Sequence, residues 1–199
     1  QLAVSCANIV PPAGGPKDTL APYLIAAKPK DSATNVQPKE ILIGFNEYIT
    51  SADIQSNLII SPTIKTTPLV DVRLNALRIR INDSLAPNTT YSLQFGNAIK
   101  DVNEGNIAKN FTYVFSTGNQ IDTGKIVGYV HLAETGAVDS TLIVALHPAG
   151  NDTAIFKNKP LYYTKLNGKG RFEFKFLPYS RFQIFVLPND YVKKYDDST

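Results

Sequence analysis

Phe111-Thr112-Tyr113-Val114-Phe115-Ser116-Thr117-Gly118 alternates aromatic with smaller residues and stops at a glycine. Successive side chains of an extended chain point to opposite sides, so Phe111, Tyr113 and Phe115 share one face. Working back along the chain, Tyr91-Ser92-Leu93-Gln94-Phe95 repeats the pattern after the turn in Leu85-Ala86-Pro87-Asn88-Thr89. Asp101-Val102-Asn103-Glu104-Gly105-Asn106, between the two strands, supplies residues that accept left-handed backbone angles. Upstream, Arg73 to Ile81 reads as a strand whose second half turns Leu77, Ile79 and Ile81 inward and Arg78 and Arg80 outward. Glu40-Ile41-Leu42-Ile43-Gly44-Phe45 buries Ile41, Ile43 and Phe45, and Asn57-Leu58-Ile59-Ile60-Ser61 is a short apolar run stopped by Pro62. About seven short strands in about a hundred residues predict a β-sandwich.

Composition agrees. Ten Tyr, ten Phe and thirteen Pro favour short strands and frequent turns over long helices, and 43% hydrophobic residues suffice for buried cores. No apolar run reaches eighteen residues, so no segment reads as a membrane-spanning helix. A net charge of +3, scattered along the chain, gives no basic footprint for nucleic acid. The single cysteine, Cys6, allows no internal disulfide.

A second strand-rich unit follows the polar, proline-free stretch Asn119-Gln120-Ile121-Asp122-Thr123-Gly124, which reads as a linker. Lys125 to Leu132, Thr141 to Leu146, Leu161 to Thr164, Arg171 to Leu177 and Phe182 to Val186 read as its strands. The expected fold class is all-β, two tandem β-sandwiches after an extended N-terminal tether: tether 1–18, first domain 19–118, linker 119–124 and second domain 125–199. The last of these is expected to continue beyond Thr199.

Three resemblances add to this reading. Pro29-Lys30-Asp31-Ser32-Ala33-Thr34-Asn35-Val36, Ile43-Gly44-Phe45-Asn46-Glu47, Leu85 to Tyr91, the Ile99 to Asn106 loop and Tyr113 to Gly118 together resemble the bacterial Ig-like domains of S-layer and surface proteins. Gly168-Lys169-Gly170-Arg171-Phe172-Glu173-Phe174 to Leu177-Pro178, then Phe182 to Val186, resemble transthyretin-like modules such as the carboxypeptidase regulatory domain. Leu2-Ala3-Val4-Ser5-Cys6 resembles the end of a bacterial lipoprotein signal peptide, and Cys6 to Thr19 is similar to a group of Bacteroidetes Ig-like lipoproteins. The last resemblance implies that Cys6 carries a diacylglycerol, each buried methylene contributing about 0.8 kcal/mol to membrane attachment. A lone cysteine is also often a small buried apolar residue, and that second reading stands beside the first.

The usual catalytic side chains are sparse. His131 and His147 lie sixteen residues apart on expected strands, with no further His or Cys nearby to complete a metal set. No serine sits in a Gly-x-Ser-x-Gly elbow and no glycine loop forms a phosphate cradle. Glu47, Asp101 and Glu104 are the candidate paired carboxylates, but all fall in loops, where acids ordinarily stabilise turns. Asp190, Asp196 and Asp197 offer oxygen ligands suited to calcium yet lack the Asp-x-Asp-x-Asp-Gly spacing, so no metal is expected.

Seven of the twelve aspartates precede Ser or Thr, against one or two expected from 27 such residues in 199. Six of these pairs, with hydroxyls at Thr19, Ser32, Ser84, Ser140, Thr153 and Ser198, continue into Ala, Leu or Thr and resemble the O-glycosylation acceptor of exported Bacteroidetes proteins. The same pairs are good turn formers, so both readings stay open.

The expectation is therefore a lipid-anchored outer-membrane protein, displayed on the cell surface or, as the alternative, held on the periplasmic face, without catalysis or a cofactor other than its diacylglycerol. It would act as a scaffold or binding subunit of a larger envelope complex. Its contacts would lie on the loops Tyr48–Gln55 and Asp101–Ala108 and on any unpaired sheet edge. The alternative is a glycan-binding or adhesion module using Tyr162, Tyr163, Tyr179 and Tyr191 as platforms.

Overall fold

A computed structural model describes residues 15–50, 52–150 and 154–189. The chain is almost entirely β. Seven strands form the first sandwich: β1 Leu24–Lys28, β2 Glu40–Phe45, β3 Ile59–Ser61, β4 Leu69–Arg73, β5 Ala76–Arg80, β6 Thr90–Gln94 and β7 Thr112–Ser116. They build an antiparallel sheet ordered β1-β2-β5-β4 facing one ordered β3-β6-β7, and a single turn of helix, α1 Ile54–Asn57, precedes β3.

Period-two alternation fixes which side chains meet. Ile43 lies opposite Leu77, and Ile41 opposite Ile79, while Tyr91 and Leu93 of β6 lie opposite Phe115 and Tyr113 of β7. All eight are buried in one core with Phe45 and Phe95. Tyr91 stacks on Phe115 with ring centroids 5.4 Å apart, and the Tyr113 hydroxyl donates to the Pro29 carbonyl at 2.9 Å. On the other face of β5, Arg78 donates to the Glu40 carboxylate through Nε at 2.6 Å.

Arg73 to Ile81 is not one strand. The chain reverses at Leu74-Asn75, so Leu69–Arg73 pairs with Ala76–Arg80 as a hairpin. Leu74 takes a φ of 56°, and Asn75 holds the corner by donating its Nδ2 to the Phe45 carbonyl at 2.8 Å. The side-chain amide of Asn75 thereby ties the corner to the end of β2.

The second sandwich comprises β8 Gly124–Tyr129, β9 Leu142–Pro148, β10 Tyr162–Lys165, β11 Arg171–Leu177 and β12 Phe182–Pro188, with a helical turn, α2 Ala154–Lys157. A three-stranded sheet β10-β9-β12 faces a two-stranded sheet β11-β8 across a separate core of Val144, Leu146, Tyr162, Phe172, Phe174 and Leu177. Gly128 leaves room for the ring of its cross-strand partner Phe172 in the same sheet, since a Cβ there would stand 2.6 Å from that ring. The two sandwiches touch through β3 against β10 and β6 against β11. Thr63 donates from its N–H to Leu161 O at 2.8 Å and from its hydroxyl to Pro160 O at 2.6 Å. In the connecting stretch, Asp122 N–H donates to the Thr90 hydroxyl at 2.9 Å, and Gly124 already belongs to β8.

Candidate functional site

The most unusual surface of the molecule lies at β12. Ile184 pairs with Leu146 and Val186 with Val144, so both point to the same face as those fully buried core residues. Ile184 is nevertheless 48% exposed and Val186 43% exposed. The facing sheet has only two strands among the described residues, against three in the sheet that holds β12. The outer edge of β12 pairs with no strand among the described residues. On the opposite face of β12, Phe185 packs edge-on against the buried His147 ring, which fixes that strand on its neighbour.

Another strand with an edge unpaired among the described residues is β8, which exposes Val127 and Tyr129. Tyr129 stacks on His131, and beside Val127 in register sits Glu173 of β11. Glu173 receives Lys125 Nζ at 2.8 Å and Arg171 Nη1 at 2.8 Å, with Lys175 Nζ at 3.6 Å. The Lys125 contact, with Arg171 next, holds its carboxyl down to about 2.

The two loops expected as separate contact surfaces are zipped together. Ile49 bridges to Asp101, Thr50 N–H donates to Lys100 O and Val102 N–H to Tyr48 O. Asp101 is buried and spends its carboxylate on the chain itself: Oδ1 accepts from Glu104 N and Gly105 N, Oδ2 from Asn106 N at 2.7 Å. Burial pushes its carboxyl up, but these amides outweigh it and the net shift is downward. Such a carboxylate closes a loop. Glu47 moves the other way, raised first by desolvation and further by the charges of Asp101, Asp18 and Glu104.

The remaining expected residues are dispersed. His131 is exposed and its Nδ1 lies 3.3 Å from Gly136 O, whereas burial lowers the His147 imidazole within the second sandwich. Among the described residues no three His, Cys, Asp or Glu side chains form a group that could hold a metal. Tyr162 is buried, its ring set edge-on to Phe182, and Tyr163 points to the other face of the same strand. Adjacent strand residues diverge, so Tyr162 and Tyr163 lie on opposite faces. Tyr179 is fully exposed. Thr19, Ser32, Ser84 and Ser140 are all exposed. Cys6, Thr153, Tyr191, Ser198 and the Asp190, Asp196, Asp197 cluster lie outside the described residues.

A family model described as a bacterial Ig-like domain matches residues 18–117, the whole of the first sandwich. The chain belongs to the bacterial Ig-like domain family. Domains of this family are typically non-catalytic. No curated protein matches the chain. Among solved structures it is similar to CopC from Methylosinus trichosporium OB3b, at 15% identity over 50% of this chain and 96% of that one, with a TM-score of 0.36. It is also similar to the S-layer protein SbsC, at 17% identity over 70% of this chain and 22% of that one, with a TM-score of 0.36. A third is an L,D-transpeptidase from Mycobacterium smegmatis, at 12% identity over 73% of each chain, with a TM-score of 0.35. No helix among the described residues is long and apolar enough to cross a membrane. The Ig-like domain fits a surface or scaffold module.

The sequence reads Phe182 to Val186 as a strand but carries no sign that one of its faces would stay uncovered. That property depends on the number of strands in the opposite sheet, which no local pattern encodes.

Proposed function

We propose that this Ig-like protein is a non-enzymatic subunit of a bacterial outer-membrane assembly, lipid-anchored through Cys6, and that it docks a partner strand against β12. Residues 1–18 act as the tether, 19–118 as the Ig-like domain, 119–124 as the connection and 125–199 as a transthyretin-like docking domain. The observation that carries the reading is the exposure of Ile184 and Val186 in register with buried Leu146 and Val144. An extended segment laid along β12 would extend the hydrogen-bonded ladder and cover both side chains, as in strand addition to an exposed sheet edge. The exposed hydroxyls at Thr19, Ser32, Ser84 and Ser140 support glycosylation of the exported chain at those positions.

The test is capture of the lipidated full chain from detergent-solubilised outer membrane, beside Ile184→Lys and Val186→Lys. The native chain is expected to bring down a stoichiometric partner that neither variant retains. Recovery of the native chain alone, or equal recovery of the partner by both variants, contradicts the reading. Intact mass of the same sample reports the diacylglycerol on Cys6 and any glycan on the Asp-Ser and Asp-Thr hydroxyls.

A further inference from the structure

Where β6 and β11 approach each other, a cleft of about 490 Å³ opens between the two sandwiches. Small-molecule sites typically occupy roughly 300–1,000 Å³ and favour such junctions. One wall is rich in amides: Gln94 closes β6, Asn97 stands in the turn after it, Asn110 precedes β7 and Asn57 ends α1. The side chains of Gln94, Asn97 and Asn110 make no hydrogen bond among the described residues. Each carboxamide thus keeps both a donor and an acceptor for a ligand.

The other wall is charged. Lys165, Arg171 and Lys175 line it against one carboxylate, Glu173, which already pairs with Lys125 and Arg171 at 2.8 Å and with Lys175 at 3.6 Å. An excess of positive charge is left facing the cleft.

Between these walls stands Phe176. Phe174 pairs with Ile126 and Leu177 with Gly124, so β11 carries one residue more than β8 over this interval. Phe174 and Leu177 are both in the core, and the extra residue is a β-bulge that ejects Phe176 from the core row onto the cleft wall. Phe176 holds a φ of 58°, a region that bulky side chains avoid. A bulge re-aims a side chain, and backbone outliers of this kind concentrate at binding sites.

The geometry points to an acidic saccharide as the ligand of this cleft. Unpaired carboxamides match the alternating donors and acceptors of sugar hydroxyls. The Phe176 ring offers a flat apolar face to the C–H side of a pyranose, and Arg171, Lys165 and Lys175 meet a ring carboxylate. The site stands apart from the β12 edge and does not depend on it.

Phe176→Gly is the decisive variant, because glycine takes a φ of 58° without strain and the ring alone is removed. Calorimetric titration of the full chain with trigalacturonate is expected to show saturable binding. Maltotriose should bind more weakly for want of a carboxylate, and triglutamate should give no binding. Phe176→Gly should weaken trigalacturonate by at least about tenfold while its melting temperature stays at or above that of the native chain. Lys175→Gln should weaken it severalfold and flatten its salt dependence. Absence of trigalacturonate binding, or binding of triglutamate as tight as trigalacturonate, overturns the inference. So does a Phe176→Gly chain that melts lower and binds unchanged, since Phe176 would then serve only the fold.

Discussion

In the Ig-like sandwich, Leu77 and Ile79 of β5 lie opposite Ile43 and Ile41, and all four are fully buried. In the second sandwich, Ile184 and Val186 of β12 lie opposite equally buried partners and yet keep nearly half their surface in water. The sequence patterns are alike; the cover is not. The Ig-like domain also covers the edge of β7: residues 32–36 run beside it, with Ser32 N–H donating to Val114 O and Val36 N–H to Ser116 O. No comparable segment shields β12 among the described residues. A completed sandwich stabilises itself, whereas an incomplete one offers apolar area and unpaired amides to a neighbour.

That contrast sets the largest expected effect. Phe115→Ala empties the centre of the first core and should cost about 3–5 kcal/mol in chemical denaturation, whereas Ile184→Ala should cost about 1 kcal/mol because nearly half of that residue is already in water. Comparable losses from the two substitutions would erase the distinction between closed and open cores. Next comes Gly128→Ala, which drives a methyl into the Phe172 ring and should cost about 1–3 kcal/mol by overpacking. A neutral result would mean that the second core is loose as well as open.

A smaller effect belongs to acid. Glu173 is held at about 2 in the folded chain, chiefly by Lys125 and Arg171, against an ordinary 4.5. Its stabilisation is therefore complete above about 4.5 and is lost as pH falls through about 2. Melting temperature followed from pH 6 to pH 2 should drop less steeply in Glu173→Gln than in the native chain. Parallel curves would remove Glu173 from the account of the β8-β11 face.

Much of the first sandwich was legible because its large apolar residues alternate with smaller or polar ones, and alternation alone placed Ile41, Ile43, Phe45, Tyr91, Leu93, Phe95, Tyr113 and Phe115 inside. The Leu69–Arg73 strand was missed, since its turn uses leucine and asparagine where the usual signal is glycine. The bulge at Phe176 was also illegible. Strict alternation from Phe172 and Phe174 sends the next phenylalanine inward, and only the pairing of Leu177 with Gly124 shows that it turns out. The cleft and the open edge share this origin: both depend on how distant strands register, which the chain does not spell locally. Turn chemistry fared better, and the Asp101 loop reads from Asp101 to Asn106 as the structure builds it.

The claim at the centre of the account is that β12 is a docking edge. Hydrogen exchange of residues 182–188 tests it directly, compared between the purified chain and the complex captured from outer membrane. Every second amide of β12 should exchange rapidly in the free chain and become strongly protected in the complex. Equal exchange in the two states would show that the partner binds elsewhere and that the edge stays open.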